Sequence, residues 1–137
     1  MKDDVKLAHE IAKRAHHGQV DKAGVPYILH PETVALFVTK DDEKIVAYLH
    51  DVIEDTPHQL SDLEEAGFSS EIIKAVDLLT RKDGQSYKQY LKLVKTNELA
   101  RVVKLADLKH NSDLSRLAQV TRNDIKRLKN TKMPLYF

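Results

Sequence analysis

Apolar residues recur at intervals of three and four along almost the whole chain, and that spacing restricts it to helices packed against helices. Val5, Ala8, Ile11, Ala12 and Ala15 make one such stripe, Ile72, Ile73, Val76 and Leu79 another, and Leu99, Val102, Val103 and Ala106 a third. Residues three and four apart share a helix face, so each stripe is a surface waiting to be covered. No run alternates apolar with polar as a half-buried strand would, and there is neither a repeat nor a low-complexity tract. The expected fold is a compact all-α bundle.

Breakers and capping residues divide the pattern. Asp3 or Asp4 suits the start of a first helix that Gly18 stops. Gly24 and Pro26 mark residues 19–29 as a loop. Pro31 fits the first turn of a second helix running through Val34, Ala35, Phe37 and Val38. A third helix is expected from Asp42 to about Asp55, where Thr56-Pro57 ends it. Leu60 to Ala66 reads as a short helix closed by Gly67, and Ser69 or Ser70 caps the next. After the turn Arg81-Lys82-Asp83-Gly84 come helices over Ser86–Lys95 and from Asn97 to about Ser112. A basic helical tail from Asn123 ends near Pro134.

At 137 residues the chain fits one domain, long enough to bury a core without covalent staples. It has no Cys, which removes disulfides and thiolate metal sites. Lys and Arg total 22 against 21 acids, a formal charge of +1, so no overall field favours nucleic acid or an anionic membrane. The opening residues MKDDVKLAHE are charged where a secretory signal needs an apolar run, and no stretch approaches a membrane span. The expectation is a soluble, cytoplasmic protein. Two local basic groups stand out: Arg81, Lys82, Lys88, Lys92 and Lys95, and Arg122, Lys126, Arg127 and Lys129. Such groups are ordinarily solvated helix faces, although either would also guide a phosphate-bearing small molecule.

Chemistry concentrates in three places: His30-Pro31, the doublet His50-Asp51 within YLHDVIEDT, and Asp107 within VKLADLKHNSD. Two imidazoles and two carboxylates make a ligand set for Mn, Fe, Zn or Mg. On a continuous helix His50, Glu54, Asp51 and Asp55 span an arc of roughly 140°, with Glu54 between His50 and Asp51. Asp107 and Asn111, four apart, point the same way. The bland alternatives are a satisfied core histidine at His50 and a solvent-facing carboxylate at Asp107. However, Val103, Leu105, Ala106 and Leu108 crowd Asp107 with apolar neighbours, and an unpaired carboxylate buried there would cost several kcal/mol.

The blocks GVPYILHPETVA, AYLHDVIEDT and VKLADLKHNSDL, in that order, resemble the motifs of the HD-domain hydrolases. They are most similar to the pyrophosphohydrolase half of RelA/SpoT-homologue alarmone enzymes. The resemblance runs over roughly residues 5 to 118. It implies a single HD-type hydrolase domain over residues 1–137, like the small stand-alone alarmone hydrolases. The implied reaction removes the 3′-diphosphate of guanosine tetra- or pentaphosphate, giving GDP or GTP and pyrophosphate. The implied metal ligands are His30, His50, Asp51 and Asp107, and the implied metal is manganese. Glu54 and Asp55 fall where the family works on the attacking water, and Asn111 where it contacts substrate. Where the family commonly has an Arg against the guanine base, this chain has Asp21, with Lys22 beside it as the substitute contact. The family's Asp-Arg-Leu-His-Asn block reads Asp107-Leu108-Lys109-His110-Asn111. Arg81, Lys82 and Lys104 are further candidates for neutralising phosphate. Because aspartate offers no guanidinium plane, a hydrolase of another nucleotide or phosphate ester stands as the alternative. A non-catalytic nucleotide-sensing module is a third reading.

Overall fold

In the computed structural model the described residues are 2–113, and they form eight helices. These are α1 (Lys2–Ala15), α2 (Leu29–Leu36), α3 (Asp41–Leu49), α4 (Val52–Asp55), α5 (Leu60–Glu65), α6 (Ser70–Leu79), α7 (Tyr87–Lys95) and α8 (Glu98–Ser112). The all-α expectation is borne out. Among the described residues the one departure is an isolated antiparallel bridge between Val20 and Pro26, which closes the loop before α2.

Local chemistry accounts for the boundaries. Ser69 Oγ accepts from Ile72 N–H at the start of α6, and Asn97 Oδ1 from Ala100 N–H at the start of α8. At α7, Ser86 Oγ accepts from Gln89 N–H at 3.1 Å while Gln89 Oε1 accepts from Ser86 N–H at 3.0 Å. Each such cap contributes about 1 kcal/mol. Gly18 and Gly67 follow α1 and α5 with φ of 82° and 94°, a left-handed conformation that glycine alone enters without strain.

α3 lies at the centre, packed against α1, α2, α6 and α8. Ile45, Val46, Ala47 and Leu49 are buried along it, and they join one apolar cluster to which all eight helices contribute. Burying an Ile or Leu stabilises the fold by roughly 1.5–3 kcal/mol, so α3 is fixed firmly and its C-terminal end is a rigid platform. α8 crosses beside it, touching α2, α3, α6 and α7.

Three expectations need correction. Asp3 and Asp4 lie inside the first turn of α1, where their charges favour the positive end of the helix dipole but do not cap it. α2 stops at Leu36, short of Val38, because Phe37 N–H tightens onto the Val34 carbonyl at 3.0 Å. The helix expected over 42–55 is broken at His50-Asp51. There the His50 imidazole takes the Ala47 carbonyl at 2.6 Å, the acceptor that a continuous helix would give to Asp51 N–H. The basic group from Arg122 to Lys129 and the tail from Asn123 lie outside the described residues. Among the described residues no helix is long and apolar enough to cross a membrane.

Candidate metal centre

Three pieces of backbone aim side chains at one point. α2 supplies His30 from its first turn, α8 supplies Asp107 from a buried face, and the break between α3 and α4 supplies His50 and Asp51. One ligand atom each from His30, His50 and Asp107 lies within 4.8 Å of the others. His30 Nε2 is 2.8 Å from Asp107 Oδ1 and His50 Nε2 is 3.5 Å from the same oxygen. Asp51 Oδ2 stands 3.0 Å from His50 Nε2 and 3.7 Å from His30 Nε2. The break in the helix is what lets neighbouring residues 50 and 51 face one point.

The hydrogen bonds around this cluster decide which atoms are free. His50 Nδ1 faces the Ala47 carbonyl, which only accepts, so Nδ1 carries a hydrogen and Nε2 is the ring atom turned toward the carboxylates. That Nε2 is buried and has no hydrogen-bond partner among the described residues, although two carboxylates lie beside it. A buried nitrogen left in that state is uncommon in a folded protein. A divalent cation would complete it. The donors of the three-residue group His30, His50 and Asp107, with Asp51 Oδ2 outside it but beside both imidazoles, fit a borderline or hard cation.

The oxygens are held as firmly. Lys104 Nζ donates to Asp107 Oδ2 at 2.9 Å, leaving Oδ1 to the histidines, and Asn111 Nδ2 approaches Oδ1 at 3.5 Å. Tyr27 Oη donates to Asp51 Oδ2 at 2.6 Å. Behind His30, His110 stacks at 4.9 Å with the two Nδ1 atoms 2.6 Å apart. Outer partners of this kind fix ring orientation at metal centres.

Charge follows the geometry. Burial pushes the Asp107 carboxyl upward, but the Lys104 ammonium and the two imidazoles outweigh it and hold the group well below the usual carboxylate range. Asp51 is likewise lowered, burial being overcome by His50. Burial lowers His50, yet Asp51 and Asp107 bring it well above the ordinary imidazole value, so Nε2 holds a proton that a bound cation would displace. Both carboxylates therefore stay ionised and ready for a cation. Lys104 is raised because Asp107 outweighs its desolvation. Tyr27 is raised by burial and then by the Asp51 charge, so it remains a donor.

Glu54 and Asp55 lie on the exposed side of α4. Burial raises Glu54, helped by the charges of Asp51 and Asp55. Burial and Asp51 also raise Asp55, against the Tyr27 hydroxyl. Lys22 is exposed on the loop before α2, and among the described residues no hydrogen bond or ion pair ties it to the centre. Asp21 turns its carboxylate back onto its own exposed loop, Oδ1 accepting from Ala23 N–H at 2.8 Å and Val25 N–H at 3.0 Å. Lys82 is occupied by Asp77 and the Thr80 carbonyl, and Arg81 Nε by the Gln85 carbonyl. Lys104, expected as a phosphate contact, is instead the buried partner of Asp107. Its i, i+3 spacing from Asp107 was the available signal. Tyr27 and His16 were not singled out for the site. His16 is buried beside Tyr27 at 4.9 Å between ring centroids.

No protein-family model matches the chain. It is 34% identical to a guanosine-3′,5′-bis(diphosphate) 3′-pyrophosphohydrolase of Spiroplasma citri, over 79% of this chain and 16% of that protein. Proteins of the same name from Haemophilus influenzae and Aquifex aeolicus are 38% and 37% identical, over 74% and 77% of this chain and 17% of each relative. The chain thus spans about one sixth of the length of these curated relatives. A solved structure of a metazoan ortholog of SpoT, described as hydrolysing ppGpp and playing a role in starvation responses, matches with a TM-score of 0.73. It is 23% identical and the match covers 93% of this chain and 80% of that one, which is a likeness of fold.

Proposed function

Because this chain is homologous to one segment of the guanosine-3′,5′-bis(diphosphate) 3′-pyrophosphohydrolases, we propose that it removes the 3′-diphosphate of guanosine tetra- or pentaphosphate. His30, His50, Asp51 and Asp107 hold the divalent cation, manganese, and residues 1–137 work as one domain on a cytoplasmic nucleotide. The observation that carries this reading is the buried His50 Nε2, without a hydrogen-bond partner among the described residues and set between the oxygens of Asp51 and Asp107.

When bound, such a cation lowers the pKa of water and polarises phosphoryl oxygens. The residues of the chain divide the remaining work. Ala47 keeps His50 in the tautomer that offers Nε2, Lys104 holds Asp107 by its far oxygen, and Tyr27 holds Asp51. Glu54, its pKa raised by burial and neighbouring carboxylates, takes the proton of the attacking water, since a base closer to neutrality is the better acceptor. Asp55 orients that water. Attack at phosphorus expels the ribose 3′ oxygen, and the products are GDP or GTP and pyrophosphate. Asn111, beside Asp107, and the exposed Lys22 contact the substrate.

The test is incubation of the purified protein with guanosine tetraphosphate and manganese. GDP and pyrophosphate in equal amounts support the proposal; their absence across a range of pH and metal removes it. The alternative, a hydrolase of another nucleotide or phosphate ester, is not favoured by the relatives' names. Faster turnover of a non-guanine substrate in a panel would select that reading.

A further inference from the structure

α4 is one turn long, and a single turn does not sustain itself in water. Yet it carries both Glu54 and Asp55. Three side chains tie it down. Thr56 Oγ1 donates to the Val52 carbonyl at 2.6 Å, a bond local to the turn. Tyr27 holds the side chain of Asp51 at its start. Gln19 Nε2, from 36 residues away, donates to the Asp55 carbonyl at 3.0 Å and so closes its end.

Gln19 is itself well anchored. Its backbone N–H donates to the His16 carbonyl at 3.0 Å, and its carbonyl accepts from Tyr27 N–H at 2.9 Å. The two ties on α4, from Gln19 and Tyr27, are therefore joined backbone to backbone. The side-chain amide is oriented by His16, whose Nδ1 lies 2.8 Å from Gln19 Oε1. With that oxygen engaged, the amide NH2 is left for Asp55. His16 is 2% exposed, rests against Tyr27 and leaves Nε2 without a hydrogen-bond partner among the described residues. The contact its ring nitrogens make is the one that sets Gln19.

We propose that Gln19, oriented by His16, is a positioning residue that holds α4, and with it Glu54 and Asp55, in place on the turn that Asp51 opens. This rests on the hydrolase reading for its effect on turnover, though not for its effect on α4 itself. Gln19→Glu keeps the shape and the acceptor for His16 but turns an oxygen toward the Asp55 carbonyl. The variant should lose about tenfold in kcat, a modest share of what misplaced groups can cost. KM for guanosine tetraphosphate and manganese affinity by titration calorimetry should hold at wild-type values. Hydrogen exchange over residues 52–58 should accelerate while residues 100–108 exchange as before. His16→Asn places an amide nitrogen where Nδ1 sits and should retain kcat, whereas His16→Ala should fall with Gln19→Glu. Wild-type kcat and exchange in Gln19→Glu would overturn the proposal. So would a parallel loss of kcat, KM, manganese affinity and thermal midpoint, which marks a structural role alone. If the wild-type protein leaves guanosine tetraphosphate intact, the hydrolase reading fails and exchange decides the tie: acceleration at 52–58 sustains it, and no change ends it.

Discussion

Replacing Lys104 with methionine should weaken the metal-free fold and widen the stabilisation that a divalent cation confers. The ammonium lies 2.9 Å from Asp107 Oδ2, with side chains only 13% and 9% exposed. At an effective dielectric near 20, charges that close attract by roughly 6 kcal/mol before desolvation is counted. Removing one partner of a buried pair leaves the other uncompensated, at a cost of about 3–5 kcal/mol. His30 and His50 still face Asp107 in the variant, so the lower end, about 3 kcal/mol, is expected. For a chain of this size that corresponds to a fall of roughly 10 °C in the thermal midpoint. Methionine fills most of the lysine stem's volume, so the loss reports charge more than packing. With chelator present, circular dichroism melts should show that fall. With saturating manganese the gap between variant and wild type should narrow, because the cation neutralises Asp107 and no longer competes with a nearby ammonium. An unchanged metal-free midpoint would contradict the assignment of Lys104 as the counter-charge. A gap that manganese leaves untouched would contradict the sharing of Asp107 between lysine and cation.

Glu54→Gln should abolish turnover yet raise the thermal midpoint at pH 7. The folded chain holds this carboxyl above its ordinary value of 4.5, so the fold binds its proton more tightly than the unfolded chain does. The ionised form therefore costs stability as pH rises through that window, and the gain in the variant should vanish once pH drops below it. Asp55→Asn removes one of the charges that raise Glu54, so the acid limb of its pH profile in kcat/KM should move to lower pH even as the rate falls. Ser86→Ala, which removes the acceptor for Gln89 N–H, should cost about 1 kcal/mol in urea unfolding and leave turnover intact.

Much of the fold was legible because apolar spacing and capping residues agreed. Ser69, Ser86 and Asn97 sit at the helix starts they were expected to mark, and local hydrogen bonding is a short-range property. The break at His50-Asp51 was not legible, since it depends on an imidazole that leaves helical periodicity to bond the Ala47 carbonyl. Likewise His50, Asp107 and His30 could be named as partners from their chemistry, but which oxygen faces which nitrogen needed three helices in place. Tyr27 reaches Asp51 across 24 residues and Gln19 reaches Asp55 across 36, and no local pattern encodes such pairings. Lys104 is the instructive middle case. Its spacing from Asp107 was visible, but a lysine is usually solvated, and only the burial of α8 turned it inward.

Crystals of the protein grown with manganese, measured for anomalous scattering, bear most directly on the centre. One peak within bonding distance of His30 Nε2, His50 Nε2, Asp107 and Asp51 is expected, and it should disappear in His50→Ala. No peak there, or a peak held by other residues, would mean that these four side chains meet for a structural reason and that the hydrolytic chemistry drawn from them is wrong.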